Sequence, residues 1–269
     1  MVVPPDVLRD YQAFLDGRDP LAVTDYSGPH SRRDVIECVL FQQALALGGL
    51  TARVGMEPVS SYGRITLELQ SGEALAGATS IWRRDLAPLG DDVLISPPMI
   101  REGEFEAGLY ASPGNERAMG ARDLADISRL TAVCNPQWGA DWDLLTRLGP
   151  GGLMSASGWR VMVCMTSQER ADFLLAPFQP TPGLRLAAFG ATLAPIPGLK
   201  VRMPDSRHFG VSRRHPQGER VFRALVAGLK RMRAAGTIVR AYTESGFFNP
   251  AVRDWKVLHG RRDTAGFIR

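Results

Sequence analysis

Leu75-Ala76-Gly77-Ala78 reads as a short apolar strand, and Thr79-Ser80-Ile81-Trp82-Arg83-Arg84 follows it directly. That strand is third in a series. Residues 20–24 and 51–58 read as buried strands before it. Between them lies a long helix, residues 32–47, with Ser31 as N-cap and Gly48-Gly49 as its close. A second helix, residues 63–71, leads into residues 75–78. The order is β-α-β-α-β, with crossovers long enough for parallel pairing. At the start, Val7, Leu8, Tyr11, Phe14 and Leu15 recur at helical spacing within residues 1–18.

Further along, VLISPPMI (residues 93–100) and EFEAGLYAS (residues 104–112) are strand-like. A second alternating set follows: a strand at 130–134, a helix around 141–148, an amphipathic stretch at 156–165 and a strand at 172–176. Residues 179–204 are proline-rich and read as irregular. Residues 208–212 return to strand, and helices follow at 219–235 and 237–244. The reading is two α/β units of about 100 residues each. The expected boundaries are residues 1–110 plus 208–269 for one lobe and 111–207 for the other. A two-strand hinge is expected near 108–114 and 205–212.

The 269 residues are 45% hydrophobic and 22% charged, enough apolar content for a core without disulfides or metals. The net charge of +4 is spread along the chain, and runs such as Arg213-Arg214 and Arg261-Arg262 are short. That pattern argues against a nucleic-acid partner, which favours a concentrated basic stripe. It suits a mild attraction for anionic ligands or membrane surfaces, or simply a solvated surface. Cys38, Cys134 and Cys164 are widely spaced in apolar contexts and read as buried. With four histidines and no His-x-x-x-His, no metal site and no cofactor is expected. No run of about 18 apolar residues reads as an integral membrane segment. The N-terminal residues lack a basic segment followed by an apolar one, so no export signal is visible there. Gly-x-Ser-x-Gly and Walker A patterns are absent, and the acid pairs Asp91-Asp92 and Asp141…Asp143 read as solvated, so no enzyme is expected.

Four segments in order resemble the type 2 periplasmic binding proteins, specifically the extracellular solute-binding family 3 that includes polar amino-acid receptors. They are residues 62–73, residues 76–84, residues 93–99, and residues 208–212 continued through Ala224-Leu225, Gly228-Leu229 and Gly236-Thr237-Ile238. The resemblance spans about residues 20–258 and implies a two-lobed α/β fold, each lobe a mixed sheet flanked by helices. It implies a monomer that closes by hinge motion on a small polar solute and presents it to an ABC permease in the periplasm. The alternative is a sensory, regulatory or degenerate version of the module acting on a signalling partner. A chain that truly starts at Met1 would be cytoplasmic.

In that family a Thr and an Arg of the first lobe hold the ligand carboxylate. Thr79 and Arg84 stand at the matching spacing, with Gly77 ahead of them; a guanidinium fork and a hydroxyl suit a carboxylate. Arg83 is the alternative if the loop is one residue out of register, and a surface pair with Asp85 or Asp91 is open for either. Tyr26 is the candidate aromatic platform, and Trp82 and Trp159 are further candidates to flank the cleft, with core packing the favoured alternative for Trp159. In the second lobe, Trp138 and Gly139 are the candidates, Gly139 through its amide at a helix start and Trp138 by stacking. Trp138 as a core residue is an equal alternative. The acid that pairs with a ligand ammonium is replaced by Pro177, which counts against a free α-amino acid.

Overall fold

The computed structural model describes residues 1–51 and 54–260. The chain starts with β1 (Val2–Val3), α1 (Pro5–Leu15), α2 (Arg33–Leu47), β2 (Glu57–Pro58), α3 (Tyr62–Ser71), β3 (Ile81–Trp82), α4 (Arg83–Leu86) and β4 (Val93–Ile95). It continues with β5 (Glu106–Ala111), α5 (Glu116–Met119), α6 (Leu124–Ile127), β6 (Thr131–Cys134), α7 (Gly139–Leu148), β7 (Gly152–Ser155), α8 (Trp159–Ser167) and β8 (Leu174–Pro177). Last come β9 (Leu186–Ala188), β10 (Ala191–Arg202), β11 (Arg207–His208), β12 (Gly210–Ser212), α9 (Gly218–Ala234), α10 (Thr237–Glu244) and β13 (Lys256–Val257).

Two compact units form, Met1–Glu102 with Asp205–Phe248, and Gly103–Pro204 with the segment from Asn249 on. The chain therefore passes between units at 102–103, 204–205 and 248–249. The crossing at 204–205 adjoins the expected segment 205–212, whereas 108–114 holds no crossing, because β5 is an internal strand of the second unit. Residues 249–260, expected in the first lobe, belong to the second unit. Leu199 and Lys200 pair in parallel with Lys256 and Val257, and Trp255 packs edge-on against Phe178 at 5.4 Å. The expectations for Ala52, Arg53 and residues 261–269 lie outside the described residues.

In the first unit α2 is the central element. Val35, Ile36, Cys38, Val39, Leu40, Phe41, Ala44 and Leu45 are buried around most of its circumference, as a helix surrounded by neighbours requires. Its N-cap is Arg32, held by Asp6, Asp10 and Asp34, while the Ser31 hydroxyl turns back to the Tyr26 carbonyl. Against α2 packs α9, whose apolar face (Val221, Leu225, Leu229, Met232) recurs at helical spacing. The strands are short: β1 with β2 in parallel, and β3 with β11 and β4 with β12 antiparallel. Residues 76–78 join them through bridges from Gly77 to Val2 and from Ala76 to Val211. Residues 20–24 are not a strand. Pro20–Ala22 forms a 3₁₀ turn capped by the Asp19 carboxylate, with proline setting its first φ. Among the described residues of 51–58, only Glu57–Pro58 is strand.

The second unit holds a sheet in the order β13-β10-β5-β8, with β9 paired to β10, and the parallel pair β6–β7. Residues 179–204, read as irregular, contain β10, the longest strand among the described residues. Its prolines misled the reading. Pro195 and Pro197 donate no amide, and Gly198 takes φ +77, so the pairing with β5 shifts register between Pro195 and Lys200. Beyond this bulge the ladder resumes, and the buried Lys200 ammonium bonds Glu106 at 2.8 Å and the Val252 carbonyl at 2.7 Å.

Asp172 ties this unit together. It accepts from the Thr131 amide (2.7 Å), Asn115 (2.9 Å) and Arg117 (2.6 Å). Burial opposes its ionisation, but these hydrogen bonds and the guanidinium charge outweigh it and hold its carboxyl below the usual range. A depressed folded pKa contributes stability above the unfolded value, about 3.9, that is lost as pH falls through the folded value. Asp172→Asn should therefore lower the melting temperature at neutral pH and flatten its fall on acidification below about pH 5. An unchanged acid limb in a melting-temperature series would remove Asp172 from this role.

Candidate functional site

In the first unit the loop at residues 77–82 is fixed from both sides. The Gly77 amide donates to the Gly210 carbonyl at 3.2 Å, and the Ala78 amide to Val2 at 2.9 Å. A Cβ on Gly77 would stand 3.3 Å from the Ile81 side chain and from the Thr79 carbonyl, so the residue is close-packed loop backbone. One position on, Ser80 is fully buried; its amide (2.8 Å) and hydroxyl (2.7 Å) both donate to Glu37 of α2. Tyr242 donates to the same carboxylate at 2.8 Å, and Arg33 at 3.2 Å. The Arg207 guanidinium donates to the Ser80 hydroxyl at 3.0 Å and to its carbonyl, and lies 4.5 Å from the centre of the Trp82 ring. The Trp82 amide donates to the Tyr62 hydroxyl, which donates to Asp85 at 3.0 Å.

The electrostatics follow from burial. Desolvation lowers the Arg207 pKa, and the Arg33 charge adds to it. Burial beside Glu37 pushes the Tyr242 phenol up. Desolvation opposes ionisation of Asp34, but Arg33, Arg32 and Arg207 outweigh it and hold its carboxyl low. The set is a buried, mutually hydrogen-bonded network of charged and polar groups, which rigidifies the loop it carries.

On this framework Thr79 is nearly buried, and among the described residues its hydroxyl has no hydrogen-bond partner. Arg84 is exposed in the single turn of α4, its amide donating to Asp205 at 3.2 Å. Arg83, exposed beside it, donates its amide to the Ser206 carbonyl at 2.9 Å. Gly77, Thr79 and Arg84 are thus brought into one loop and the turn after it. Tyr26 is not with them. Its ring is buried, its hydroxyl donates to Gln43 at 2.7 Å, its amide to Glu244 at 2.9 Å, and Arg240 lies 5.7 Å from its ring centre. A side chain so enclosed packs the core and has no open face for stacking.

Reading for ligand contacts passed over Arg33, Glu37, Ser80, Arg207 and Tyr242. The usable signal was Glu37 itself, a single acid inside the apolar run Val35-Ile36-Glu37-Cys38-Val39-Leu40-Phe41. An acid at a position that must be buried calls for a partner.

In the second unit β6 and β7 run parallel with Cys134 opposite Ser155, so the chain leaves both strands at the same edge. Each then enters a helix, α7 or α8, whose N-cap (Trp138 or Gly158) supplies no side-chain bond to the first amides. Gly139 opens α7. Trp138 and Trp159 are half-buried, their ring centres 6.4 Å apart and 34° from coplanar, and both pack on the unit's core. Asn135 shapes the turn, accepting from the Gln137 amide at 2.9 Å. Cys134 below it is buried, which pushes its thiol up to about 12. Among the described residues no three His, Cys, Asp or Glu side chains gather as a metal site requires, and no helix is long and apolar enough to cross a membrane.

No protein-family model matches the sequence, and no functionally curated protein does. Solved structures do match. A periplasmic VFT2 domain of BvgS from Bordetella pertussis shares 14% identity over 88% of this chain and 97% of that one, with a TM-score of 0.58. The chain has the two-lobed fold of the type 2 periplasmic binding proteins. An amino acid ABC transporter substrate-binding protein, AbpA from Streptococcus pneumoniae, bound to L-arginine, shares that fold at 12% identity, 78% and 84% coverage and a TM-score of 0.55. The GluR0 ligand-binding core from Nostoc punctiforme, in complex with L-glutamate, is similar at 12% identity, 85% and 97% coverage and a TM-score of 0.51.

Proposed function

We propose that this chain binds a small, polar, carboxylate-bearing solute and does no chemistry on it. The observation that carries the reading is the Thr79 hydroxyl, without a partner among the described residues, on a loop that Glu37 and Arg207 hold still, one turn from the exposed Arg84. Preorganised donors of this kind take a carboxylate at little entropic cost. In the second unit the uncapped start of α7 at Gly139 suits an anionic end, and Trp138 beside Trp159 suits a flat apolar one. Ligands of the structural neighbours, L-arginine and L-glutamate, both carry carboxylates, which agrees with this chemistry.

The periplasm is the compartment we assign, with a monomeric protein delivering its solute to an ABC permease. A sensory or regulatory version of the same module, acting on a protein partner, is the second reading.

A thermal-shift panel of amino acids, dicarboxylates, sugars, polyamines and peptidoglycan fragments tests the proposal, since a ligand of the native state raises the melting temperature by mass action. A saturable shift with a carboxylate is the expected result. Arg84→Ala should then weaken binding more than tenfold without changing the unliganded melting temperature, and Arg83→Ala should leave affinity unchanged. Equal affinity for the Arg84→Ala protein would refute the carboxylate assignment.

A further inference from the structure

On α9 one face is buried and the other is basic. Arg220, Arg223, Lys230 and Arg231 are exposed within an arc of roughly 100° at helical spacing, with the small Ala227 between them. Arg220 to Arg231 covers about 16 Å along the axis. Among the described residues none of the four is paired with an acid; Arg231 donates to the Leu47 carbonyl, and the flanking Glu219 stands 3.7 Å from Arg213. The arrangement is no device for stability. Arg220 sits in the first turn, where a cation opposes the helix dipole, and Arg220 and Arg223, three residues apart, repel.

A second feature lies at the same place. Leu47, whose carbonyl Arg231 bonds, is 44% exposed at the end of α2, and Val239 on the following α10 is 55% exposed. Single exposed apolar residues are ordinary. Here Leu47 stands at the end of a straight cationic stripe, which is the composition of a surface that rests on anionic headgroups and dips an apolar side chain among them. An acidic protein surface would match the charges but leave Leu47 without a use.

We propose that this face of the first unit docks on an anionic lipid surface, through Arg220, Arg223, Lys230 and Arg231 to the phosphates and Leu47 to the acyl boundary. The inference does not depend on the solute reading. Co-sedimentation of the full chain with phosphatidylcholine vesicles, with and without one-third phosphatidylglycerol, tests it. The expected result is at least tenfold stronger partitioning onto the anionic vesicles, falling as salt is raised. Combined Arg220→Gln, Arg223→Gln and Lys230→Gln should remove that preference, and Leu47→Gln should weaken it severalfold, both at unchanged melting temperature. Equal partitioning onto both vesicles, or full binding by the triple variant, would overturn the proposal. So would binding to polyglutamate in preference to vesicles, which would assign the face to an acidic protein.

Discussion

Glu37→Ala is expected to destabilise the first unit by about 3–5 kcal/mol, the cost of stranding a buried charge by removing its partner. Glu37 is wholly buried, and four donors converge on it: the Ser80 amide and hydroxyl, the Tyr242 hydroxyl and the Arg33 guanidinium. Its loss leaves Arg33 facing Arg207 with Asp34 as the remaining acid, and frees the loop that carries Thr79. Glu37→Gln keeps an acceptor while losing the charge, so its cost should be smaller but still measurable. Urea unfolding reads both as a fall in midpoint. A Glu37→Ala protein with a wild-type midpoint would show that the network does not hold the unit together.

Gly228→Ala should be as damaging, with the sign opposite to helix propensity. In an isolated helix that change stabilises by about 1 kcal/mol. Here the added Cβ would lie 1.8 Å from the Ala44 carbonyl oxygen, and a Cβ on Gly48 would lie 1.9 Å from the Ala224 oxygen. The crossing of α2 and α9 is thus a contact of backbone on backbone, where no side chain can yield. The helices must separate, and the loss should reach about 3 kcal/mol, the upper end for overpacked cores. Ala227→Gly on the exposed face supplies the comparison and should cost only about 1 kcal/mol. A Gly228→Ala protein more stable than wild type would mean that the two helices pack farther apart than described.

Periodicity made the long elements legible. The helices at 33–47, 62–71, 218–234 and 237–244 lie within a residue or so of expectation, because each carries apolar residues at helical spacing between glycines or caps. Strand β10 was hidden because two prolines and a left-handed glycine interrupt its ladder at a bulge, a tertiary accommodation that local composition cannot announce. The turn at residues 20–22 imitated a strand for the converse reason: Leu-Ala-Val is apolar, yet Leu21 and Ala22 face solvent. The family resemblance, not spacing by itself, pointed to Gly77, Thr79 and Arg84, which lie in one loop and the turn after it. Tyr26 was misjudged, since proximity to a turn says nothing about which way a ring points. The network beneath the loop went unread because Glu37, Ser80, Arg207 and Tyr242 meet only through contacts distant in sequence.

The most direct test of solute binding is amide chemical-shift mapping of the isotopically labelled protein, titrated with the strongest carboxylate from the thermal panel. The account predicts saturable shifts at residues 79–84 and 138–140, with the α2–α9 core unmoved. Shifts confined to other residues, or none at saturating solute, would contradict it.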